Sequence, residues 1–197
     1  DCTTKSMTTI KPIGERIAII NTEEAYEGKL ALPESRSKTH VHGKCVAVGS
    51  GKYPDGTVKE IYAKVGEVYI YQIDGSQQIN ASFKIDNELV LLLHQADMIC
   101  RLNDKTVTFD SIDMMGHWLL VEPSFSSEST IIIPDTSKDS QHELHHFKLA
   151  KKGSQADIEA NVGDEIFPAR GRLTPLNIDG KTYCFIQDNF IYGHLQS

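Results

Sequence analysis

One ordered set of short patterns occurs twice in this chain, and that repetition limits the fold more than any other feature. Pro12-Ile13-Gly14-Glu15-Arg16 has a counterpart in Met114-Met115-Gly116-His117-Trp118. Lys64-Val65-Gly66-Glu67 matches Asn161-Val162-Gly163-Asp164, and Phe83-Lys84-Ile85-Asp86 matches Leu176-Asn177-Ile178-Asp179. Asp97-Met98-Ile99 is set against Asn189-Phe190-Ile191. Matches in the same order argue for a duplicated unit, and a duplicated unit must fold twice with the same topology. The expected division is a first domain over 7–102, a polar linker over 103–112 and a second domain over 113–197.

The repeat includes an unusual apolar triplet. Leu30-Ala31-Leu32 is followed by Pro33, Glu34 and Ser35; Ile131-Ile132-Ile133 is followed by Pro134, Asp135 and Thr136. Each follows an apolar strand-like run, Ile17–Ile20 in the first copy and Trp118–Val121 in the second. The flanks, 21–28 and 35–42, are too polar to bury much surface, so the first triplet reads as bait for a partner rather than as core. The competing reading is an ordinary strand end, which suits the β-branched second triplet better than the first.

The secondary structure reads as all-β. Short runs such as Cys45–Val48, Val68–Tyr71 and Glu88–Leu93 are separated by Gly, Pro, Asn and Asp, the pattern of small sandwiches and barrels. Pro54-Asp55-Gly56 predicts a turn, hence a hairpin over 52–61. The second copy is shorter there, at Lys151–Asp157.

Composition narrows the function. The 197 residues carry a net charge of −7, with no basic stripe to suit nucleic acid. The longest apolar run, Leu89–Leu93, is far too short to span a bilayer. The N-terminus lacks a charged-then-apolar signal layout, and the polar Asp1–Ser6 ahead of Met7 reads as an appended or leader-derived stretch. Cys2, Cys45, Cys100 and Cys184 are scattered without a CxxC pair, so neither a disulfide framework nor a four-thiolate zinc site is expected. Cys45 and Cys184 are expected to be buried thiols.

These residues resemble the GroES co-chaperonin (chaperonin 10) family. Ile10-Lys11-Pro12-Ile13-Gly14-Glu15-Arg16-Ile17 is similar to its opening strand, and Gly43–Gly51 to its G-x-V-x-A-V-G-x-G. Gly28-Lys29-Leu30-Ala31-Leu32-Pro33 resembles the family's mobile-loop G-G-I-V-L-P, with Lys29 in place of the second Gly. The tandem arrangement is similar to the twenty-kilodalton co-chaperonins of plastids. The resemblance implies two tandem GroES-like β-barrel domains, each with a long mobile loop. It implies a protein that is not an enzyme and needs no cofactor, and that caps an ATP-bound chaperonin ring. Leu30, Ala31, Leu32, Ile131, Ile132 and Ile133 would make the contact, with Gly28, Pro33 and Pro134 setting loop conformation. A homo-oligomeric ring, or a mixed ring with a single-domain co-chaperonin, is implied, in a plastid-type stroma or alternatively a bacterial or viral-host cytoplasm.

Two other function classes compete. His142-Glu143-Leu144-His145-His146 fits HExxH, which on a helix binds zinc and supplies a general base; that reading gives a metal-dependent hydrolase. Against it, the repeat places this stretch opposite Thr39–His42, the return into a strand, and no third ligand is identifiable. The other alternative is a non-chaperone β-barrel binding module. A fragment of a medium-chain dehydrogenase lacks support, because the Gly-rich βαβ unit is missing. Gly49-Ser50-Gly51-Lys52 reads as a turn at a strand end, since Tyr53 and Pro54 stand where a phosphate-binding helix would start.

Overall fold

The computed structural model describes residues 10–21, 40–72, 81–104, 107–124 and 146–195. Within them the chain forms two antiparallel sheets, one per repeat. The first contains β1 (Arg16–Asn21), β2 (His40–Val48), β3 (Val68–Gln72), β4 (Ser82–Ile85), β5 (Glu88–His94), β6 (Met98–Leu102) and β7 (Ile112–Met114). The second contains β8 (Trp118–Ser124), β9 (His146–Lys152), β10 (Glu165–Pro168), β11 (Thr174–Ile178), β12 (Lys181–Gln187) and β13 (Ile191–Leu195). The first sheet runs β4-β5-β1-β2-β3-β6-β7 and the second β11-β12-β8-β9-β10-β13. Strand for strand the second repeats the first, as expected of two tandem β-barrel units, and among the described residues only β7 has no counterpart.

The repetition extends to irregularities. The β1–β2 register slips between Ala18 and Ile19, and the β8–β9 register slips between the equivalent Leu120 and Val121. A bulge re-aims side chains, so each unit keeps the same inward set beyond it. Gly49 donates its amide to Arg16 O at 2.8 Å, and Gly153 donates to Trp118 O at 2.8 Å. A Cβ on Gly49 would lie 2.1 Å from Gly14 O, and one on Gly153 would lie 2.3 Å from Gly116 O, so only glycine permits this approach. The β4–β5 turn holds Asp86 and Asn87 at positive φ, and the β11–β12 turn does the same with Asp179 and Gly180, as two-residue hairpins with primed turns require.

Each unit has its own core. Ile17, Ile19, Cys45, Tyr69, Leu91, Leu93 and Met98 pack in the first. Leu119, Val121, Phe147, Leu149, Ile166, Cys184 and Ile186 pack in the second. Strand alternation explains the split: on β8, Leu119 and Val121 point into the second unit, whereas Trp118 and Leu120 point the other way. Those outward residues join Leu176, Ile178 and Phe185 against Ile70, Cys100, Leu102 and Met114 of the first sheet, making a third cluster shared by both units. Trp118 Nε1 donates to Ala96 O across this joint at 3.0 Å.

Described residues of the linker over 103–112 pack against both units. Val107 and Ile112 are buried in the shared cluster. The Phe109 ring stacks on Tyr183 at 5.5 Å between centroids, and Lys151 Nζ donates to Ile112 O at 2.7 Å. Cys45, Cys100 and Cys184 are all buried as thiols; burial pushes Cys45 up to about 11 and Cys184 to about 12, so they stay protonated and apolar near neutrality.

A shared core predicts joint unfolding. Leu120→Ala should cost about 2–5 kcal/mol, the range for truncating a buried leucine. Because Trp118 is the chain's one tryptophan and sits at the joint, its fluorescence and the far-ultraviolet circular dichroism should show coincident urea transitions, shifted together in the variant.

Candidate partner-binding site

The triplets singled out by sequence belong to two equivalent connections. Segment 22–39 leaves at the end of β1 and returns into β2, and segment 125–145 leaves at the end of β8 and returns into β9. Gly28, Leu30, Ala31, Leu32, Pro33, Ile131, Ile132, Ile133 and Pro134 all lie in these segments, outside the described residues. The structure describes the strand ends that flank them in sequence.

Both platforms are paired strand ends. Asn21 faces Gly43 across the first, and Pro123 faces Phe147 across the second. Under the first, the fully buried Tyr71 donates its phenol to Asn21 Oδ1, and burial raises that phenol's pKa well above its usual value. A Cβ on Gly43 would meet Ile19 Cγ2 at 2.1 Å, so the strand crosses Ile19 and Tyr71 at closest approach. Burial also lowers the pKa of His42, favouring its neutral form beside this platform. At the second platform His146 pairs with Glu165, and Lys181 with Glu122.

The histidine motif does not form a described site. His142, Glu143 and His145 lie outside the described residues, and His146 opens β9 opposite Ser124. Phe147 and Leu149 then alternate inward as a strand requires. Among the described residues no group of three His, Cys, Asp or Glu side chains is arranged to hold a metal ion. The glycines of Gly49-Ser50-Gly51 are likewise committed elsewhere: Gly51 donates to Gly14 O at 3.0 Å, so this turn closes on backbone rather than cradling phosphate.

The predicted hairpin is present in the first unit only. Lys52 and Val58 form a bridge, and Tyr53 donates its amide to Thr57 O at 2.9 Å. Its base is pinned by Gln95, whose side-chain amide donates to Glu15 Oε1 at 2.9 Å and to Glu60 O at 2.8 Å. Tyr53 Oη also donates to Glu15 at 2.7 Å. Burial works to raise the Glu15 pKa, but the hydrogen bonds from Tyr53 and Gln95 outweigh it and hold the carboxyl below its usual value. In the second unit Asp188 takes the place of Gln95. It accepts from the Asp157 amide at 2.8 Å and lies 2.8 Å from His117 Nδ1, closing a shorter turn.

Comparison with known proteins agrees with this layout. Residues 9–102 match the family model described as the chaperonin 10 Kd subunit. The co-chaperonin GroES of Natranaerobius thermophilus is 33% identical over 93 residues, covering 46% of this chain and 94% of that protein. The GroES of Exiguobacterium sibiricum is 32% identical over 97 residues, covering 48% and 99%, and that of Clostridium botulinum 33% over 92 residues, covering 46% and 94%. The first unit therefore accounts for nearly a whole GroES chain. This chain belongs to the chaperonin 10 family. Its matched relatives are co-chaperonins, which are not enzymes, and the chain is a co-chaperonin in the same sense. The second unit lies beyond the matched residues; its likeness is carried by the repeated strand order, bulge and turn glycines.

The family fold displays two surfaces that motif reading missed. One is the joint inside the chain, where β7 pairs with β6 through Cys100↔Met114, Arg101↔Asp113 and Leu102↔Ile112. Arg101 bridges Glu67 at 3.0 Å and Asp113 at 2.6 Å, and Asn103 donates to Asp113 at 2.7 Å. The other is the outer edge of β13, which is the counterpart of β6 but has no described strand beside it. Residues near this edge that correspond to buried joint residues are exposed here: Tyr192 at 77%, Leu195 at 53% and Phe167 at 42%. At the opposite end of the chain Ile13, the counterpart of the buried Met115, is 77% exposed, and Phe83, the counterpart of Leu176, is 46% exposed. The only sequence signal was apolar residues at positions where a lone barrel wants polar ones.

The joint's ion pairs carry a pH signature. The Asn103 hydrogen bond, and then Arg101, hold the Asp113 carboxyl below its usual pKa. A depressed folded-state pKa contributes stability that is present above the unfolded value of about 4 and is lost as pH falls through the folded value. Urea unfolding between pH 5 and pH 2 should therefore show an acid-side loss of stability that is smaller in Asp113→Asn than in the parent chain.

Proposed function

We propose that this co-chaperonin caps an ATP-bound GroEL-type chaperonin ring. Contact is made by Leu30, Ala31 and Leu32 and by Ile131, Ile132 and Ile133, with Gly28, Pro33 and Pro134 shaping the two segments. The observation that carries the reading is topological: both triplets fall in the connection between the same two strands of equivalent units, so one chain offers two docking segments from one body. Burying a leucine yields roughly 1.5–3 kcal/mol, while ordering a residue of backbone costs about 1–2 kcal/mol. A single triplet therefore binds weakly, and avidity across many segments holds the cap. Weak individual contacts also let it leave when the chaperonin changes state.

The chain divides at 103–112 into two GroES-like domains, and copies associate head to tail. What supports this is the edge of β13 at one end, with no described strand beside it, and the exposed Ile13 and Phe83 at the other, since their counterparts Met115 and Leu176 are buried. The product is a homo-oligomeric ring or a mixed ring completed by single-domain co-chaperonins. The tandem architecture suits a plastid-type stroma.

The test is binding to a chaperonin with ATP, read by co-sedimentation. Leu30→Ser/Leu32→Ser should lose most of its binding while keeping the parent's thermal midpoint, and adding Ile131→Ser/Ile133→Ser should abolish the remainder. Undiminished binding by the fourfold variant would remove the triplets from the mechanism. A thermal midpoint lowered by several degrees would show that they are core.

A further inference from the structure

The open edge differs from the internal joint in charge, not only in position. Inside the chain the bridging residue is Arg101, flanked by Glu67 of its own unit and by Asp113 on the entering strand. At the other end of the chain the register assigns each counterpart. Leu195 pairs with Glu165 as Leu102 pairs with Val68, so His194 stands in the place of Arg101. Asp164 stands in the place of Glu67: it holds the same turn, its carbonyl accepting from Leu149 N as Glu67 O accepts from Cys45 N. His194 Nδ1 lies 3.9 Å from Asp164 Oδ2, and its Nε2 lies 3.9 Å from Glu159 Oε2. From β10, the neighbouring strand, His194 faces apolar Ile166, and the adjacent Glu165 is paired with His146 of β9.

The segment available to enter this edge from a second copy is the irregular stretch 10–12, the counterpart of β7. Its central residue, where β7 has Asp113, is the exposed Lys11. The sign at the centre of the entering strand is thus reversed, and so is the character of the edge that receives it.

Resting on the head-to-tail association proposed above, we infer that the joint between copies is selected by Lys11 of one chain reaching Asp164 and Glu159 of the next, with His194 between them. The arrangement is directional. A strand carrying Asp113 at this edge would meet two carboxylates, and Lys11 at the β6 edge would meet Arg101. Like charges brought together at an interface reject the wrong partner, so the internal and external joints cannot exchange strands and copies add in one register.

A charge-reversal cycle on the full chain tests this, with association read by sedimentation velocity and folding checked by thermal unfolding. Lys11→Asp should weaken self-association about fivefold, the equivalent of roughly 1 kcal/mol for a partly exposed pair, and His194→Arg should weaken it to a similar degree. Combining the two rebuilds the Arg101–Asp113 pairing at the external joint. The double variant should associate within about twofold of the parent. A double variant as weak as the two single effects multiplied overturns the charge assignment while leaving head-to-tail pairing in place. A parent that stays monomeric at every concentration overturns the head-to-tail reading and this inference with it.

Discussion

The rest of the structure depends on the addition of β7 to the first sheet. That strand precedes the second unit in sequence yet completes the first unit's edge through three paired positions. An unpaired edge is a liability in any small sheet, and here the next repeat covers it. Because β7 runs directly into β8, the pairing also fixes where the second barrel sits, and Trp118 and Leu120 are delivered onto the first unit's outer face. Two units of this size are each marginal alone, and the shared cluster converts them into one body. The ion pairs of Arg101 sit at the rim of that contact, half-exposed, and set register more than stability.

The same logic explains why the chain ends in surfaces that look unfinished. The seventh strand position is filled at the internal joint, and at the other end no described strand lies beside β13. Tyr192 and Leu195 on β13, and Ile13 before β1, are exposed although their counterparts are buried. The two connections leave from paired strand ends with buried groups nearby, Tyr71 at one and Phe147 at the other.

Much of the fold was legible in the sequence because glycine and hairpin chemistry is local. Gly14 with Gly116, Gly66 with Gly163, and Asp86 with Asp179 all hold positive φ at equivalent positions, so the patterns that contain them align correctly. Matching Asp97-Met98-Ile99 to Asn189-Phe190-Ile191 is one residue out of register. The backbone aligns Gln95, bonded to Glu15 O, with Asp188, bonded to His117 O, which sets Met98 against Ile191. Nothing local marks that alignment, since Gln and Asp fill the same role, and the chemically similar Asp97 and Asn189 mislead. The packing of the linker was not legible for a related reason. Val107 and Ile112 are isolated among polar residues, and their burial depends on a partner surface that folds far along the chain. The setting of His194 between two carboxylates had no sequence signal, because Glu159 and Asp164 reach it only once β10 and β13 are paired. The HExxH spacing fails where it can be examined, since His146 begins a strand.

The central claim is that one chain places two equivalent docking segments on a chaperonin. Electron microscopy of the chain mixed with a GroEL-type chaperonin and ATP tests it most directly. The account predicts a closed cap on the ring, with density reaching the chaperonin from both the β1–β2 and the β8–β9 connections of a single chain. Rings left uncapped at saturating chain, or caps touching the chaperonin through surfaces other than these two connections, would contradict it.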